Sequence, residues 1–291
     1  MIKRVAIFSS FKDDITIHCL TKLSDTLKSR GVEVFLLKTL ENGHKGWNTK
    51  GEKVLDSMKD IPLPDLVFSV GGDGTFLETS HKVVDYNLPI AGINTGRLGF
   101  LANISLGEIE FAVDAIIDRK FSLIRRYILE VGNPEPLFGP EGSIGLNEVT
   151  VQKADLNMIT IRVRVDGIYL NTYWADGLIV STATGSTAYN VSTGGPILSP
   201  TDKSIVISAI SPHNLTVRPV VLPGNSVLEL SIDGRGKEFL ATCDFRFKKV
   251  AVGTNITIRQ SAKQVLTVML DDRDFFSTLR SKLMWGADTR N

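Results

Sequence analysis

The chain has 291 residues, more than one ordinary hydrophobic core uses and enough for about two domains. Its 43% hydrophobic and 22% charged residues suit a globular protein, and a formal net charge of +1 gives no electrostatic reason to expect nucleic acid or an acidic membrane surface as partner. Two cysteines, Cys19 and Cys243, supply neither a disulfide framework nor a zinc ligand set, and the four histidines stand too far apart for metal-ligand spacing.

Met1 to Arg4 runs straight into Val5-Ala6-Ile7-Phe8, too short for the apolar part of a signal sequence, and no apolar run reaches membrane-spanning length, so a cytoplasmic location is expected. Ile2 to Phe8 reads as a buried strand, Ile15 to Ser29 as an amphipathic helix stopped by Gly31, and Val32 to Leu37 as the next strand. A polar stretch from Glu41 to Glu52 leads to another helix-like segment, and Pro62 and Pro64 break the chain before the apolar run Leu66-Val67-Phe68. That run delivers Val70-Gly71-Gly72-Asp73-Gly74-Thr75, followed by a helix-like segment from Phe76 to Val84. Glycines at the end of a buried strand let backbone N–H groups approach a phosphate, and the following helix N-terminus adds partial positive charge. Phosphates repel a carboxylate, so Asp73 points to a proton-accepting or metal-organising duty; the plainer alternative is that it caps the helix beginning near Thr75. Pro89 to Ile93 is a further strand, followed by the loop Asn94-Thr95-Gly96-Arg97-Leu98-Gly99-Phe100 and by Ser105-Leu106-Gly107-Glu108, which has capping-box spacing. Strand alternates with helix, so residues 1–121 are expected to form a Rossmann-like parallel α/β domain whose ligands bind beyond the carboxyl ends of its strands.

After Phe121 short runs of β-branched and aromatic residues are separated by Gly, Pro, Asp and Asn, and residues 122–270 are expected to be a β-rich domain. Asp166-Gly167 between Ile159–Val165 and Ile168–Trp174 is a two-residue hairpin signal, repeated at Asp233-Gly234. Residues 271–291 hold a terminal amphipathic helix, Asp274 to Trp285, with Phe275, Leu279 and Leu283 on one face, expected to pack on the first domain. Three stretches carry more than a fold needs. In Ser143–Val151, read as one alternating strand, Glu148 falls in phase with Ile144 and Leu146, which means a site or a β-bulge that turns it outward. Asp176-Gly177 is either a further hairpin turn or part of a site. Ser181-Thr182-Ala183-Thr184-Gly185-Ser186-Thr187-Ala188-Tyr189-Asn190, which contains the one short helix expected in this half, is denser in hydroxyls than a strand exit requires.

The ordered set Gly71-Gly72-Asp73-Gly74-Thr75, Asn94 to Leu101, Asn147-Glu148, Asp176-Gly177, the Ser181 to Asn190 block and Gly194-Gly195-Pro196 resembles bacterial NAD kinases across most of the chain. The first motif occurs also in lipid kinases and 6-phosphofructokinases; the Asp176 to Tyr189 block does not. The resemblance implies transfer of the γ-phosphoryl group of ATP to the 2′-hydroxyl of the adenosine ribose of NAD. It also implies a β-sandwich second domain, a C-terminal segment returning to the first, and a cytoplasmic homo-oligomer, dimer or tetramer. By this resemblance Asp73 is the proton acceptor, and Gly71, Gly72, Gly74 and Thr75 form the phosphate loop. Asp73, Gly74, Asn147 and Glu148 contact NAD. Thr184, Thr187, Ala188, Tyr189, Asn190, Val191 and Ser192 cradle adenine and ribose, and Asp176 lies at the nicotinamide side, within reach of NAD held by another subunit. A divalent ion, Mg²⁺, is held mostly by nucleotide oxygens, and no residue is assigned to it. Ala183 stands where the family often has Pro, and Phe245-Arg246 follow Asp244 where many members have Gly-Gln, so no ligand contact is assigned to that turn. A Gly-Gly-Asp-Gly kinase for lipid or sugar would leave the Asp176 to Tyr189 block unexplained, and a non-catalytic NAD- or NADP-sensing protein would not need Asp73.

Overall fold

In the computed structural model, which describes residues 2–10, 13–37, 53–55, 58–60, 62–96, 99–133, 137–139 and 143–284, the two textures of the sequence become two compact units. One takes the chain as far as Arg125 together with the residues from Val265 onward, and the other takes Arg126–Gln264. The stretch from Glu41 to Glu52, Arg97, Leu98 and Trp285 lie outside the described residues.

The first unit alternates β1 (Arg4–Phe8), α1 (Asp14–Ser29), β2 (Glu33–Leu37), β3 (Lys53–Leu55), β4 (Leu66–Gly71), α2 (Asp73–Val83), β5 (Pro89–Asn94), β6 (Ile104–Ser105) and α3 (Ile109–Ile117). The strands are parallel and lie in the order β5-β4-β1-β2-β3, with β6 beside β5. Both side-chain phases are buried, Val5 and Ile7 on one face, Ala6 and Phe8 on the other, as unbroken apolar strands require. Leu20, Leu23 and Leu27 of α1 and Ile109, Val113 and Ile116 of α3 cover the face that carries Val5, Ile7, Phe68 and Val70. The helix-like segment expected after Glu52 is β3 and a 3₁₀ turn, Met58–Asp60, because parallel pairing with Phe35–Leu37 outweighs a weak local preference. The capping box forms as spaced, Ser105 and Glu108 bonding each other's backbone at the entry to α3. The C-terminal helix, Phe275–Leu283, starts on Asp274, which accepts the Ser277 N–H at 2.9 Å. It buries Leu279 and sets the Phe275 ring 6.4 Å from Phe100, while Leu283 stays exposed. Arg273 ties its approach by donating to the Asn103 carbonyl and the Glu108 carboxylate.

After β7 (Phe121–Asn133), the second unit contains β8 (Ile144–Gly145), β9 (Glu148–Lys153), β10 (Ile159–Val165), β11 (Ile168–Ala175), β12 (Gly177–Ser181), the single-turn α4 (Tyr189–Ser192), β13 (Ile205–Ile210), β14 (Val220–Leu222), β15 (Leu228–Gly234), β16 (Glu238–Cys243), β17 (Arg246–Ala251) and the first part of β18 (Asn255–Leu270). The last part of β18 pairs with β5 in the first unit, and Phe275–Leu283 is α5. An antiparallel sheet in the order β14-β13-β12-β9-β16-β17 shares one core with the antiparallel run β11-β10-β15-β18. Alternate residues Ile159, Ile161 and Val163 of β10 meet Val149 and Val151 of β9 and Leu178 and Val180 of β12 in that core, which makes the unit a β-sandwich. The Asp166-Gly167 turn forms as its sequence requires, with φ of 52° and 78°.

Two other turn signals have a different outcome. Asp176-Gly177 and Asp233-Gly234 are not hairpins: β11 and β12, and likewise β15 and β16, lie in different sheets, and the chain crosses the sandwich at these points. Ser143–Val151 is not one strand either. β8 pairs with β7, β9 with β12 and β16, and the chain changes sheets at Leu146-Asn147.

Candidate active site

In the first unit the carboxyl ends of β1, β4 and β5 converge. The Ser10 and Thr75 hydroxyls are 2.8 Å apart, and the Thr95 N–H donates to the Gly71 carbonyl at 3.1 Å. Gly71 has φ 153°, and a Cβ there would lie 2.3 Å from Thr75 Oγ1, so only glycine closes this turn. Gly72 is the N-cap of α2 and supplies no side-chain acceptor, which leaves the first N–H groups of the helix uncapped. Gly72 and Gly74 both face open space.

Asp73, the first residue of α2, does not cap its own helix. Its carboxylate reaches the loop after β5 instead: Oδ2 accepts the Phe100 N–H at 2.8 Å, and Oδ1 accepts those of Leu101 and Ala102 at 3.0 Å each. Gly99 allows the approach, since a Cβ there would lie 1.8 Å from Oδ1. A carboxylate has about four lone-pair directions. Among the described residues three are taken, which leaves one direction on Oδ2.

In the second unit Asn147 and Glu148 stand where the chain passes from one sheet to the other. Glu148 does not turn outward in a bulge; it pairs in register with Ser181, and its Oε2 is buried with no hydrogen-bond partner among the described residues. Burial, and then the negative charge of Asp244, push its carboxyl up to about 8. The Asn147 carbonyl accepts the Thr182 N–H at 2.9 Å, which joins Asn147-Glu148 to the hydroxyl block.

Within that block Ser181 to Ser186 are buried and Thr187, Ala188, Tyr189, Val191 and Ser192 reach the surface, Tyr189 with 37% of its area. The buried Thr184 hydroxyl accepts from Arg126 Nη1 at 3.3 Å. Thr187 Oγ1 donates to the Thr184 carbonyl at 3.3 Å. Asn190 is wholly buried: its amide donates to the Ser186 and Pro196 carbonyls, and its oxygen accepts the Ser208 hydroxyl at 2.7 Å. Its side chain therefore braces the turn. Asp176 lies apart from this group. It precedes β12, whose opposite end carries Ser181 opposite Glu148, roughly 16 Å away at strand rise, and it pairs with Lys153 Nζ at 2.7 Å.

Four side chains to which the sequence assigns no ligand contact sit among these residues. Arg126 is a buried charge in phase with Ile128 on β7, an inward-pointing position that strand alternation flags. Thr182, within the hydroxyl block, and Asp244, in the turn left without a ligand contact, bond the backbone around Asn147. Arg246 donates to the Ile144 carbonyl at 2.6 Å and lies over the rings of Phe138 and Phe245. Both cysteines are buried thiols; burial pushes Cys19 up to about 12 and raises Cys243 as well. Among the described residues no group of three or more His, Cys, Asp and Glu side chains gathers as a metal site, and no helix is long and apolar enough to cross a membrane.

A parallel α/β unit ending one strand in a glycine-flanked carboxylate at a helix N-terminus, with a β-sandwich in which Glu148 Oε2 is buried without a partner among the described residues, fits a phosphotransferase of the Gly-Gly-Asp-Gly kind. Residues 19–121 match the ATP-NAD kinase N-terminal domain and residues 146–270 the ATP-NAD kinase C-terminal domain. The chain belongs to the NAD kinase family, enzymes that phosphorylate NAD with ATP. It is 38% identical to the NAD kinase of Christiangramia forsetii over 99% of this chain and 100% of that protein, and 42% identical to the NAD kinase of Cytophaga hutchinsonii over 80% of each. Its fold is similar to that of an NAD kinase from Archaeoglobus fulgidus in complex with ATP, with TM-score 0.75, 25% identity and coverage of 97% and 98%. It is also similar in fold to yeast NADH kinase complexed with NADH, with TM-score 0.81, 22% identity and coverage of 99% and 89%.

Proposed function

We propose that this chain transfers the γ-phosphoryl group of ATP to the 2′-hydroxyl of the adenosine ribose of NAD, giving NADP and ADP, with Asp73 as the proton acceptor. The observation that carries the assignment is the Asp73 carboxylate at the start of α2, fixed by three backbone N–H groups of the loop after β5. An alcohol is a weak nucleophile at neutral pH, and a carboxylate held rigidly within hydrogen-bond reach takes its proton as the O–P bond forms. Gly71, Gly72, Gly74 and Thr75 lead into the uncapped start of α2, whose N–H groups suit phosphate oxygens. The absence of side chains at Gly72 and Gly74 lets a polyphosphate lie against the backbone.

On the NAD side, Glu148 offers a buried acceptor to ribose hydroxyls or the adenine amino group, and Asn147 offers an amide beside it. Thr184, Thr187, Ala188, Tyr189, Val191 and Ser192 hold adenine and ribose, with Tyr189 packing beside a ring. Asn190 serves this cradle from behind. Asp176, at the far end of β12 from Glu148, is assigned to the nicotinamide side of NAD bound by another subunit of a homodimer or homotetramer. A divalent ion, Mg²⁺, is carried on the phosphate oxygens of ATP, and no residue is assigned as its ligand. When bound it neutralises charge on the phosphates. We assign the enzyme to the cytoplasm. Incubating purified protein with ATP, Mg²⁺ and NAD, and reading NADP through an NADP-specific dehydrogenase, tests the proposal; formation of NADP with an equal amount of ADP supports it, and ADP without NADP overturns it.

A further inference from the structure

Asn147 and Glu148 sit where the chain crosses between sheets, at the start of β9, and the three consecutive N–H groups of Leu146, Asn147 and Glu148 point at one side chain. Asp244 Oδ2 accepts the Leu146 N–H at 2.7 Å, and Oδ1 accepts those of Asn147 at 2.8 Å and Glu148 at 3.2 Å. The contact is reciprocal, since the Asp244 N–H donates to the Glu148 carbonyl at 3.0 Å. Asp244 holds this pose in the left-handed region, φ 51°, at the tight turn between β16 and β17, a conformation that aspartate tolerates better than most residues. From the other side, Thr182 Oγ1 donates to the Leu146 carbonyl at 2.7 Å and accepts the Gly185 N–H at 3.0 Å, while the Thr182 N–H donates to the Asn147 carbonyl. Donors and acceptors of the crossing are thus fixed by two side chains, 62 positions apart in sequence, neither aimed at open space.

The arrangement has a cost that points to its use. The Asp244 charge strengthens its bonds to the three N–H groups, but, added to burial, it also disfavours a second carboxylate at Glu148. Glu148 keeps Oε2 buried without a partner among the described residues all the same. A ligand donor arriving at that oxygen relieves both burdens, provided that the carboxyl stands still. We infer that Asp244, backed by Thr182, is a positioning residue that clamps the Leu146–Glu148 backbone and so fixes the Glu148 carboxyl as a preformed acceptor for NAD. The inference rests on the proposed role of Glu148.

Asp244→Asn keeps the size of the side chain but turns an amide N–H₂ toward backbone donors, and the clamp loosens. The account predicts a KM for NAD raised about tenfold or more with the KM for ATP and kcat within about threefold, since hydrogen bonds to charged groups are among the stronger ones. Glu148→Gln and the double variant complete a cycle. If Asp244 acts through Glu148, the double variant is no worse for NAD than the worse single one; fully additive losses overturn the clamp. An unchanged NAD KM in Asp244→Asn beside a raised one in Glu148→Gln overturns the inference and leaves the recognition by Glu148 standing, whereas an unchanged KM in Glu148→Gln removes the reading beneath it. Should Asp244→Asn fail to fold, Thr182→Val removes the hydroxyl at constant shape and is expected to raise the NAD KM, with Thr182→Ser recovering it. Equal KM values for NAD in those two variants contradict the clamp.

Discussion

At the scale of the residue, the two carboxylates at the centre of the account are held in opposite ways. Asp73 is surrounded by donors, and Glu148 has a buried oxygen without one. Glu148 therefore ties pH to both stability and binding. Burial first, and Asp244 second, lift its carboxyl from the ordinary 4.5 to about 8; Cys243 and Arg246 also stand in this neighbourhood. Between those values the folded chain holds the proton more tightly than the unfolded one, so this group's contribution to stability is full below pH 4.5, declines as pH rises, and levels off above about 8. Glu148→Gln removes the titration. Its melting temperature without ligand is expected to gain on that of the parent by roughly a few degrees between pH 5 and pH 8, read by thermal denaturation at each pH. Binding has the opposite sign. A donor from NAD favours the ionised carboxylate, so the parent's KM for NAD should fall as pH approaches 8, while that of Glu148→Gln is higher and nearly flat, with little change in the KM for ATP. Parallel pH profiles for parent and variant would count against Glu148 as the acceptor.

At the scale of the element, the phosphate loop depends on a second loop 27 residues further along, because Phe100, Leu101 and Ala102 orient the Asp73 carboxylate. Gly99→Ala puts a methyl carbon into Asp73 Oδ1, and a displaced base of this kind lowers turnover by about 10²-fold while NAD binding is largely kept. Steady-state kinetics with an NAD titration separates the two; a kcat near that of the parent would show that the carboxylate does not need this support. The α5 helix makes a separate prediction. Leu279 is 2% exposed, and Leu279→Ala is expected to destabilise the first unit by about 2–5 kcal/mol, seen as a lower midpoint in urea. How far these elements are readable in sequence depends on the range of the forces that form them. The unbroken apolar strands, the capping box at Ser105 and the Asp166-Gly167 hairpin are set within a few residues and read correctly. Asp176-Gly177 and Asp233-Gly234 carry the same local chemistry as that hairpin, yet the chain crosses to another sheet, which only the pairing of distant strands decides. The polar and glycine content of the catalytic loop was visible for the same local reason. The hold on Asn147 was not, because Asp244 lies 97 positions away and meets it through a main-chain N–H, which leaves no trace in the pattern of side chains.

At the scale of the whole molecule, the role proposed for Asp176 calls on a partner subunit. With Glu148 and Asp176 at opposite ends of β12, one copy's Asp176 serves another copy's NAD in the proposed oligomer. Inactive Asp73→Asn and Asp176→Ala proteins, mixed under conditions that exchange subunits, should then regain part of the parent activity, and sedimentation should give a dimer or tetramer. No recovery despite verified exchange would return both residues to one subunit's site. The central claim is phosphoryl transfer to NAD with Asp73 taking the proton. It is tested most directly by comparing parent and Asp73→Asn under saturating ATP, Mg²⁺ and NAD, with NADP formation followed by coupled assay and NAD affinity by calorimetry. The account predicts NADP from the parent and, in the variant, turnover lower by about 10²–10⁴-fold at nearly unchanged NAD affinity. Turnover within a few-fold of the parent, at equal NAD affinity, would contradict it.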